Sequence, residues 1–381
     1  MAKNIAIVPF NKPHFCGDEL DFFKKSLDSG KISGDGIFTK KCQDFFQNEY
    51  GFRSSFLTTS CTDALEMSSL LLELNSGDEV ILPSYSFVST ANPFLLRGAK
   101  LVFADSNSEN PNICVKSIEK LISKKTKAIV IVHYAGIACD IDAIKTIMKG
   151  RNITLIEDAA QAFDSYYKGS PLGTFGTFSA FSFHETKNIT CGEGGLLVVN
   201  DKKYIEKAQI IREKGTNRTA FLNGEVDKYG WVDIGSSFLP SDLNAALLYS
   251  QLKNKNKIQK RRLMLWQYYY KKLTHLNISD KLSLPVIPEY TSNNAHMFYI
   301  VLQNEKLRDK ILNNLKLNGF IAAFHYQSLH KSKYFLSYNK LKELPLADKY
   351  SNCLLRLPLF YDLKLESIDL IVNIINIELN K

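Results

Sequence analysis

Lys187 is the residue of this sequence best suited to covalent chemistry. It follows the apolar run Phe181–Phe183 across a polar turn, and the glycine-rich segment Gly192–Gly195 comes next. A lysine at a strand end in a cleft loses solvation, which lowers its pKa and frees the amine to react with a carbonyl group. Glycines allow the backbone to approach a flat ligand closely. The alternative is a solvated lysine in a surface hairpin, since lysine side chains are mostly exposed.

Two acidic residues, Glu157 and Asp158, end the apolar run Ile153–Ile156. A carboxylate at such a strand end can pair with a protonated ring nitrogen and keep a pyridine cationic. The ring can then absorb electrons from a carbanion next to it. The alternative is that Glu157 or Asp158 caps the helix that follows.

Small hydroxyl residues, Thr58–Ser60, join another apolar run to a helical pattern over Thr62–Leu74. The free N–H groups and the positive dipole end of such a helix attract a phosphate. A simple Ser/Thr N-cap is the alternative. The segments around residues 60, 158 and 187 all come near the ends of predicted strands. Open α/β sheets bind ligands at the carboxyl ends of their strands, so the three segments predict one site.

Seven apolar runs in the first 200 residues alternate with helix-like segments, and this pattern predicts a mostly parallel sheet with helices on both faces. The link YKGSPLGTFG between the fifth and sixth runs predicts a hairpin-like connection between neighbouring strands. The predicted strands are Ser55–Thr59, Glu79–Pro83, Lys100–Asp105, Ala128–His133, Ile153–Asp158, Thr177–Phe183 and Gly195–Asn200.

The remaining chain predicts a long helix and a smaller unit. The helical pattern runs from Ser241 to about His275, with Ser241 and Asp242 as a plausible N-cap pair. We therefore predict a large α/β domain over residues 1–240, a long connecting helix over 241–280 and a small α+β domain over 281–381. Within the small domain the expected strands are His296–Leu302 and Ile321–Tyr326, and the expected helices are Leu307–Asn318 and Ser367–Leu379.

The net charge of +9 over 381 residues is compatible with nucleic acid or with a nucleotide-bearing anionic substrate as the partner. Much of the excess lies in Lys253–Arg262, which we interpret as a solvated helix face. The sequence has no recognised helix-turn-helix, zinc-binding or RNA-binding signature. Nucleic-acid binding is therefore the less favoured alternative.

Cysteine usage and hydropathy indicate a cytoplasmic protein. The seven cysteines form no CxxC pair, which favours free thiols in a reducing compartment and no metal site. No apolar run reaches the roughly 18–20 residues needed to span a bilayer. The N-terminus lacks the apolar core of a secretory signal.

Several segments in a fixed order carry a resemblance to a known enzyme family. They are Ser33–Gly36, Glu157–Gln161, Phe181–His184 with Lys187, and Gly192–Gly195. Over nearly its whole length the chain resembles the sugar aminotransferases of the DegT/DnrJ/EryC1/StrS family. The resemblance implies the fold of type I pyridoxal-phosphate-dependent transferases, with a large mostly parallel sheet domain and a smaller C-terminal α+β domain. It also implies a homodimer whose active sites take residues from two subunits.

The resemblance also assigns roles to individual residues. Lys187 would hold pyridoxal 5'-phosphate covalently and move protons, and Asp158 would bind the ring nitrogen. Ser237 stands where the family often has an asparagine that reaches the neighbouring subunit's phosphate. His184, His325 and Tyr326 are candidates for substrate contact, and each has a purely structural alternative. The other implied cofactor contacts are Gln161 near the phenolic oxygen, Phe87 on the ring face, and Ser182 with the amides of Cys61 and Thr62 at the phosphate.

Within the family the chain is most similar to dTDP-4-keto-6-deoxyglucose 4-aminotransferases of surface-polysaccharide pathways, such as those of lipopolysaccharide O-antigen and enterobacterial common antigen. The segments that carry this similarity include SYSFVSTAN, FSFHETKN and IREKGTNR. It implies L-glutamate as amino donor and dTDP-4-amino-4,6-dideoxygalactose as product. A 3-aminotransferase acting on the 3-keto isomer is the alternative. A dehydratase of the same family would carry histidine in place of Lys187.

Overall fold

The computed structural model describes residues 7–276 and 280–381. The first nine strands are β1 (Ser55–Thr58), β2 (Glu79–Pro83), β3 (Lys100–Ala104), β4 (Thr126–Val132), β5 (Thr154–Asp158), β6 (Tyr166–Tyr167), β7 (Ser170–Pro171), β8 (Phe178–Ser182) and β9 (Gly195–Val199). Seven of them form a sheet at the centre of the larger part, with the order β1-β9-β8-β5-β4-β2-β3. All strands of this sheet are parallel except β9, which pairs antiparallel with both β1 and β8.

The seven predicted strands are confirmed to within two residues at each end, but the predicted link between β5 and β8 is wrong. The two strands are neighbours, yet they run parallel, with Ile156 opposite Phe178. The connection leaves the sheet and returns to it, as a parallel pairing requires. A hairpin does occur there, but it is the separate pair β6–β7 inside the connection.

Apolar side chains cover both faces of the sheet, as expected for a sheet buried between helices. In β4, Val130 belongs to one buried cluster, whereas Ile129 and Ile131 belong to the other. The helices of this part are α1 (Glu19–Asp28), α2 (Ile37–Tyr50), α3 (Cys61–Leu71), α4 (Asn92–Leu95), α5 (Val115–Leu121), α6 (Ile141–Met148), α7 (Ile205–Arg212) and α8 (Arg218–Leu222).

The predicted long helix from residue 241 is two helices, α9 (Asp242–Lys253) and α10 (Lys255–Thr274). The break is at Asn254, whose φ of −100° and ψ of 7° depart from helical values. Residues 277–279, within the segment 241–280 predicted as a connecting helix, lie outside the described residues, as do residues 1–6 of the predicted large domain.

Only one residue of the predicted N-cap pair caps α9. The Ser241 hydroxyl accepts a hydrogen bond from the amide of Asn244 at 3.3 Å. The Asp242 carboxylate instead accepts the amides of Phe38 and Thr39 at 3.2 and 2.8 Å, at the start of α2. The acidic side chain therefore stabilises the positive end of a different helix.

The basic run Lys253–Arg262 is only partly the solvated face that its charges predicted. Lys253 is exposed, but Lys255 is buried and pairs with Glu49 at 2.8 Å. Arg262 is also buried and donates to the carbonyls of Ala295 and His296. The interpretation is wrong for Lys255 and Arg262, because acceptors distant in sequence satisfy them.

The C-terminal part forms its own three-stranded antiparallel sheet, in the order β10-β11-β12. The predicted strand Ile321–Tyr326 is wrong. Both edges of the central strand are already paired, and the segment makes only a bridge from Ala323 to Arg356 on the outer edge. The elements are β10 (Leu282–Ser283), β11 (Phe298–Leu302), β12 (Leu354–Leu357), α11 (Glu305–Leu317), α12 (Lys333–Leu336), α13 (Pro345–Cys353) and α14 (Leu365–Leu379).

Among the described residues, no helix has both the length and the apolar character needed to cross a membrane. All seven cysteines are free.

Candidate active site

A cleft lies between the two parts of the fold, and its empty space is about 420 Å³ when the part open to solvent is included. Gln161, Thr186 and Lys187 line it from the large sheet. An N-terminal segment contributes Phe10 and Asn11. The C-terminal part supplies His296, Met297, His325, Arg356, Leu357 and Leu359.

Lys187 projects into this cavity from the turn between β8 and β9. Its backbone amide donates to the carbonyl of His184 at 2.9 Å, which closes the turn. Its Nζ has no hydrogen-bond acceptor among residues 7–276 and 280–381. Burial lowers the pKa of Lys187, and the nearby Cys61 and Asp158 oppose that shift only in part. The amine is therefore easier to deprotonate than that of an exposed lysine.

Asp158 ends β5 with a buried side chain. Its Oδ2 accepts the hydroxyl of Thr90 at 2.7 Å, and its Oδ1 accepts the amide of Ala160 at 3.2 Å. Burial raises the pKa of Asp158, although these two hydrogen bonds and the charge of Lys187 act in the opposite direction. A cationic group placed beside the carboxylate would stabilise its charged form.

The neighbouring acid, Glu157, has a structural role. Its Oε1 accepts the amides of Phe175 and Gly176 at 2.8 and 2.6 Å. Its Oε2 accepts the amide of Gly173 at 2.9 Å and lies 3.0 Å from His133 Nε2. Burial alone would raise the pKa of Glu157, but His133 and these amides lower it overall. Glu157 thus anchors the connection between β5 and β8, and its side chain does not line the cavity.

The start of α3 has the features of a phosphate site. Ser60 caps the helix by accepting the amide of Asp63 at 3.1 Å. The amides of Cys61 and Thr62 have no acceptor within the part of the chain that the structure describes. A Cβ atom on Gly195 would lie 2.3 Å from the backbone of Ser60, so only glycine allows β9 to pass beneath this turn. The two free amides are therefore available to an anion.

Ser182, at the end of β8, lies next to this turn through its pairing with Gly195. Its side chain is buried, and its hydroxyl accepts the amide of His184 at 3.4 Å. The hydroxyl of Thr62 donates to Ser89 at 2.8 Å. Ser182 and the start of α3 therefore share one region, as the predicted phosphate contacts require.

Gln161 lines the cavity and is held by two partners distant in sequence. Its Oε1 accepts the amide of Ala135 at 2.6 Å, and its Nε2 donates to the hydroxyl of Tyr326 at 2.9 Å. The ring of Tyr326 stacks on His325 at 3.5 Å between centroids, and His325 Nδ1 lies 2.8 Å from the hydroxyl of Tyr134. Gln161 and the pair His325–Tyr326 are thus brought together from positions far apart in sequence.

Phe87, His184 and Ser237 lie at the periphery. The ring of Phe87 is 55% exposed and 6.1 Å from that of Tyr326. His184 Nδ1 lies 2.9 Å from the Thr186 hydroxyl in the same turn, an arrangement that suits its structural alternative. Ser237 is exposed and bridges to Glu213. The cavity lining includes none of these three residues, and it also lacks Asp158, Ser182, Tyr326 and the start of α3.

Sequence reasoning missed Thr90, which orients Asp158, and a network beside Lys187. Asn188 Nδ2 donates to the carbonyl of Asn294 at 2.8 Å, and its Oδ1 accepts from His296 Nδ1 at 2.9 Å. This network ties the lysine turn to the C-terminal part. Asn188 directly follows the lysine, which was the only local signal for it. Thr90 lies in the segment SYSFVSTAN and His296 begins a predicted strand, but neither position indicated its role, because their partners are distant in sequence.

The residues present fit pyridoxal phosphate, the cofactor that the resemblance implies. Free helix-start amides suit its phosphate, the buried carboxylate of Asp158 suits its ring nitrogen, and the unpaired amine of Lys187 suits its carbonyl carbon. These residues thus offer suitable partners for the phosphate, the ring nitrogen and the carbonyl carbon of the cofactor. The fit needs no metal ligand.

Solved structures support the same conclusion. Spr1654 from Streptococcus pneumoniae, named as a sugar aminotransferase and solved in its PMP form, is 25% identical, with a TM-score of 0.90 over 98% of this chain and 99% of that chain. The aminotransferase TlmJ from Streptoalloteichus hindustanus is 26% identical, with a TM-score of 0.90 over 98% and 99%. PseC from Helicobacter pylori, an aminotransferase involved in the biosynthesis of pseudoaminic acid, is 25% identical, with a TM-score of 0.89 over 98% and 99%.

The model of the DegT/DnrJ/EryC1/StrS aminotransferase family matches residues 16–376. The match includes every element from α1 to β12 and nearly all of α14. Fold, cavity and family agree, and the cofactor of such enzymes is pyridoxal phosphate, as the PMP form of Spr1654 illustrates. The chain therefore belongs to the DegT/DnrJ/EryC1/StrS aminotransferase family.

Proposed function

We propose that this aminotransferase moves the amino group of L-glutamate to a nucleotide-linked keto-sugar in the cytoplasm. The most specific form of the proposal is dTDP-4-keto-6-deoxy-D-glucose as acceptor and dTDP-4-amino-4,6-dideoxygalactose as product, for surface-polysaccharide biosynthesis. The observation that carries it is the desolvated amine of Lys187, for which the described residues supply no hydrogen-bond acceptor, in a cavity of an aminotransferase fold. The sugar as acceptor is supported by the name of Spr1654, which is called a sugar aminotransferase.

In this proposal, Lys187 carries out the proton transfer. Bound pyridoxal phosphate supplies an electron sink for the electron pair that a departing proton leaves behind. The amine of Lys187 would act as general base towards the donor's α-proton and as general acid when that proton is delivered again. Its lowered pKa suits this exchange, because the free amine is more populated near neutral pH than that of an exposed lysine.

The other residues bind and orient the cofactor and the substrate. Asp158 pairs with the ring nitrogen and is itself oriented by Thr90. The amides of Cys61 and Thr62, with the Ser182 hydroxyl, hold the phosphate at the positive end of α3. The proposal extends to further ligand contacts. These are Gln161 beside the phenolic oxygen, Phe87 over the ring, and His184, His325 and Tyr326 towards the substrate.

The test of the acceptor is product identification. Protein incubated with L-glutamate and dTDP-4-keto-6-deoxyglucose is expected to form a sugar with nitrogen at C4, which NMR of the purified product would locate. The 3-keto isomer is the matched comparison, because it differs only in the position of the ketone. Amination of the 3-keto sugar alone would replace this proposal with a 3-aminotransferase.

A further part of the proposal is a homodimer with shared active sites. An exposed apolar segment supports it, since a large exposed patch marks an interaction surface. Trp231 is 85% exposed, and Tyr229, Val232 and Ile234 beside it are each more than half exposed. Ser237 lies a few residues further along and is the predicted contact to the neighbouring subunit's phosphate.

Sedimentation velocity is expected to give twice the chain mass of 43.2 kDa. Trp231→Asp should raise the dissociation constant of the dimer by about 10-fold or more, because buried aromatic anchors dominate interfaces. Leu317→Asp is the control, since Leu317 is also exposed, at 72%, but lies on α11. A stable, active monomer of the wild-type chain would contradict the shared site.

The domain division also remains a proposal, with a large domain over 1–240, a connecting segment over 241–280 and a small domain over 281–381. Separate sheets support it, and so does a separate apolar cluster that includes Phe298, Ile311 and Ile371. The cavity then lies between the two domains.

A further inference from the structure

A surface segment from α12 to the start of α13 combines exposed apolar side chains with lysines. Tyr334 and Tyr338 are 64% and 52% exposed, and Leu341 is 60% exposed. The two tyrosine rings lie 5.2 Å apart, edge to face. Single exposed apolar residues are ordinary, but several together mark an interaction surface. We call the following residues the basic aromatic patch: Lys333, Tyr334, Leu336, Tyr338, Lys340, Leu341 and Lys342.

The lysines of the basic aromatic patch carry charge that the protein does not neutralise. Lys333, Lys340 and Lys342 are exposed, and none of them forms an ion pair within residues 7–276 and 280–381. Between positions 332 and 347 the sequence has one acid, Glu343. The next acid, Asp348, already pairs with Lys331 at 2.7 Å. The patch therefore presents net positive charge beside its apolar side chains.

Buried neighbours hold the basic aromatic patch on the large sheet. The ring of Phe335 packs edge-on against Phe103 of β3, at 4.8 Å between centroids, and lies 6.0 Å from the ring of Tyr338. On the other side of the patch, the amide of Ala347 donates to the Asp105 carboxylate at 2.7 Å. With both ends anchored, the exposed side chains cannot fold into the core without breaking these contacts.

We propose that the basic aromatic patch docks the protein on the surface of an anionic lipid bilayer. Tyrosine suits the headgroup level, because its ring is apolar and its hydroxyl is polar. Leucine side chains enter the boundary of the acyl chains. Each lysine near an anionic bilayer strengthens binding by about 5-fold. The contact is peripheral, and no helix among the described residues could cross the bilayer.

The leucines favour a bilayer over a nucleic acid. A single-stranded nucleic acid offers phosphates to lysine and unstacked bases to tyrosine, but it has no apolar phase for an aliphatic side chain. Leu336 and Leu341 are 38% and 60% exposed and would stay in water on such a partner. A bilayer receives the lysines, the tyrosines and the leucines together.

A second lysine-rich segment of the chain provides an internal control. Residues 116–127 contain five lysines, as do residues 331–349. None of the apolar side chains in the 116–127 segment is as exposed as Tyr338 or Leu341. If charge alone attracted lipid, the two segments would contribute equally. The proposal requires the basic aromatic patch to dominate.

The first test is co-sedimentation of the full-length, cofactor-loaded protein with vesicles of phosphatidylcholine and phosphatidylglycerol. Binding is expected at low salt, and it should be lost with phosphatidylcholine alone and at about 1 M salt, where the screening length is about 3 Å. Lys333→Glu combined with Lys340→Glu should weaken partitioning at least about 25-fold. The control, Lys120→Glu combined with Lys124→Glu, should change it by less than about 3-fold, because those lysines remain beyond a screening length from the docked surface.

The second test removes apolar area without changing charge. Leu341→Asn should weaken partitioning about 10-fold, since it takes a leucine out of the bilayer boundary. Leu317→Asn is the control, because Leu317 is 72% exposed on α11, outside the patch. In Tyr338→Trp, the fluorescence added over wild type should be quenched by lipids brominated in their acyl chains.

All variants are first compared with wild type by thermal unfolding and cofactor absorbance. If the charge-reversal pair does not fold, Lys340→Gln combined with Lys342→Gln replaces it, with the same expected direction. Three results would overturn the proposal: no vesicle binding by wild type at low salt, equal weakening by the two charge-reversal pairs, and binding of single-stranded DNA with no binding of vesicles. None of these measurements depends on which sugar or amino donor the enzyme uses.

Discussion

Lys187→Ala is expected to remove both the visible absorbance of the lysine-bound cofactor and nearly all transfer activity. The alanine side chain can neither form the covalent link nor carry the proton. Loss of a positioned acid–base group alone slows a reaction by about 10²–10⁴-fold. The purified wild-type protein should be yellow. Treatment with borohydride should fix the cofactor irreversibly to the peptide that contains Lys187, which mass spectrometry would identify.

Two variants distinguish the role of the Lys187 amine from the effect of its positive charge and from the loss of a lysine elsewhere. Lys187→Arg keeps a positive charge but lacks a nucleophilic amine, so it should be as inactive as the alanine variant. Lys116→Ala removes an exposed lysine from α5 and should behave as wild type. Unchanged absorbance in Lys187→Ala, or fixation of the cofactor at another lysine, would contradict the assignment.

Asp158→Asn is expected to retain part of the cofactor but lose most turnover. The amide occupies nearly the same volume as the carboxylate but has no charge, so the ring nitrogen is no longer held protonated. Removing one preorganised electrostatic partner usually costs about 10²–10³-fold in rate. The measurement is single-turnover kinetics of the donor half-reaction at saturating cofactor, which separates loss of binding from loss of rate. Near-normal turnover would rule out this role for Asp158.

The adjacent acid and its neighbour provide matched controls. Glu157→Gln disturbs the carboxylate that accepts the amides of Gly173, Phe175 and Gly176. It should therefore lower the free energy of unfolding by about 1–3 kcal/mol. Its effect on the rate per bound cofactor should be smaller than that of Asp158→Asn. Thr90→Val removes the hydroxyl that donates a hydrogen bond to Asp158. It should therefore lower turnover in the same way as Asp158→Asn but by a smaller factor.

The sequence alone was enough for the seven strands of the large sheet and for the residues that end them. Periodic apolar runs mark buried strands, and parallel strands present their carboxyl ends at one edge. Asp158 and Lys187 could thus be assigned to one site before any contact was known. The sequence also predicted the N-cap and the free N–H groups at the start of α3, because both depend on only a few consecutive residues.

Only the tertiary structure decided how distant segments meet. The parallel pairing of β5 with β8, the burial of Lys255 and Arg262, and the failure of Ile321–Tyr326 to form a strand all depend on partners elsewhere in the chain. Arg356 lies in an apolar strand near the C-terminus and has no local motif around it. The fold nevertheless places it in the same cavity as Lys187, 169 positions earlier in the chain. Sequence patterns over a few residues reflect interactions between neighbours in the chain, whereas a shared cavity depends on how distant segments pack together.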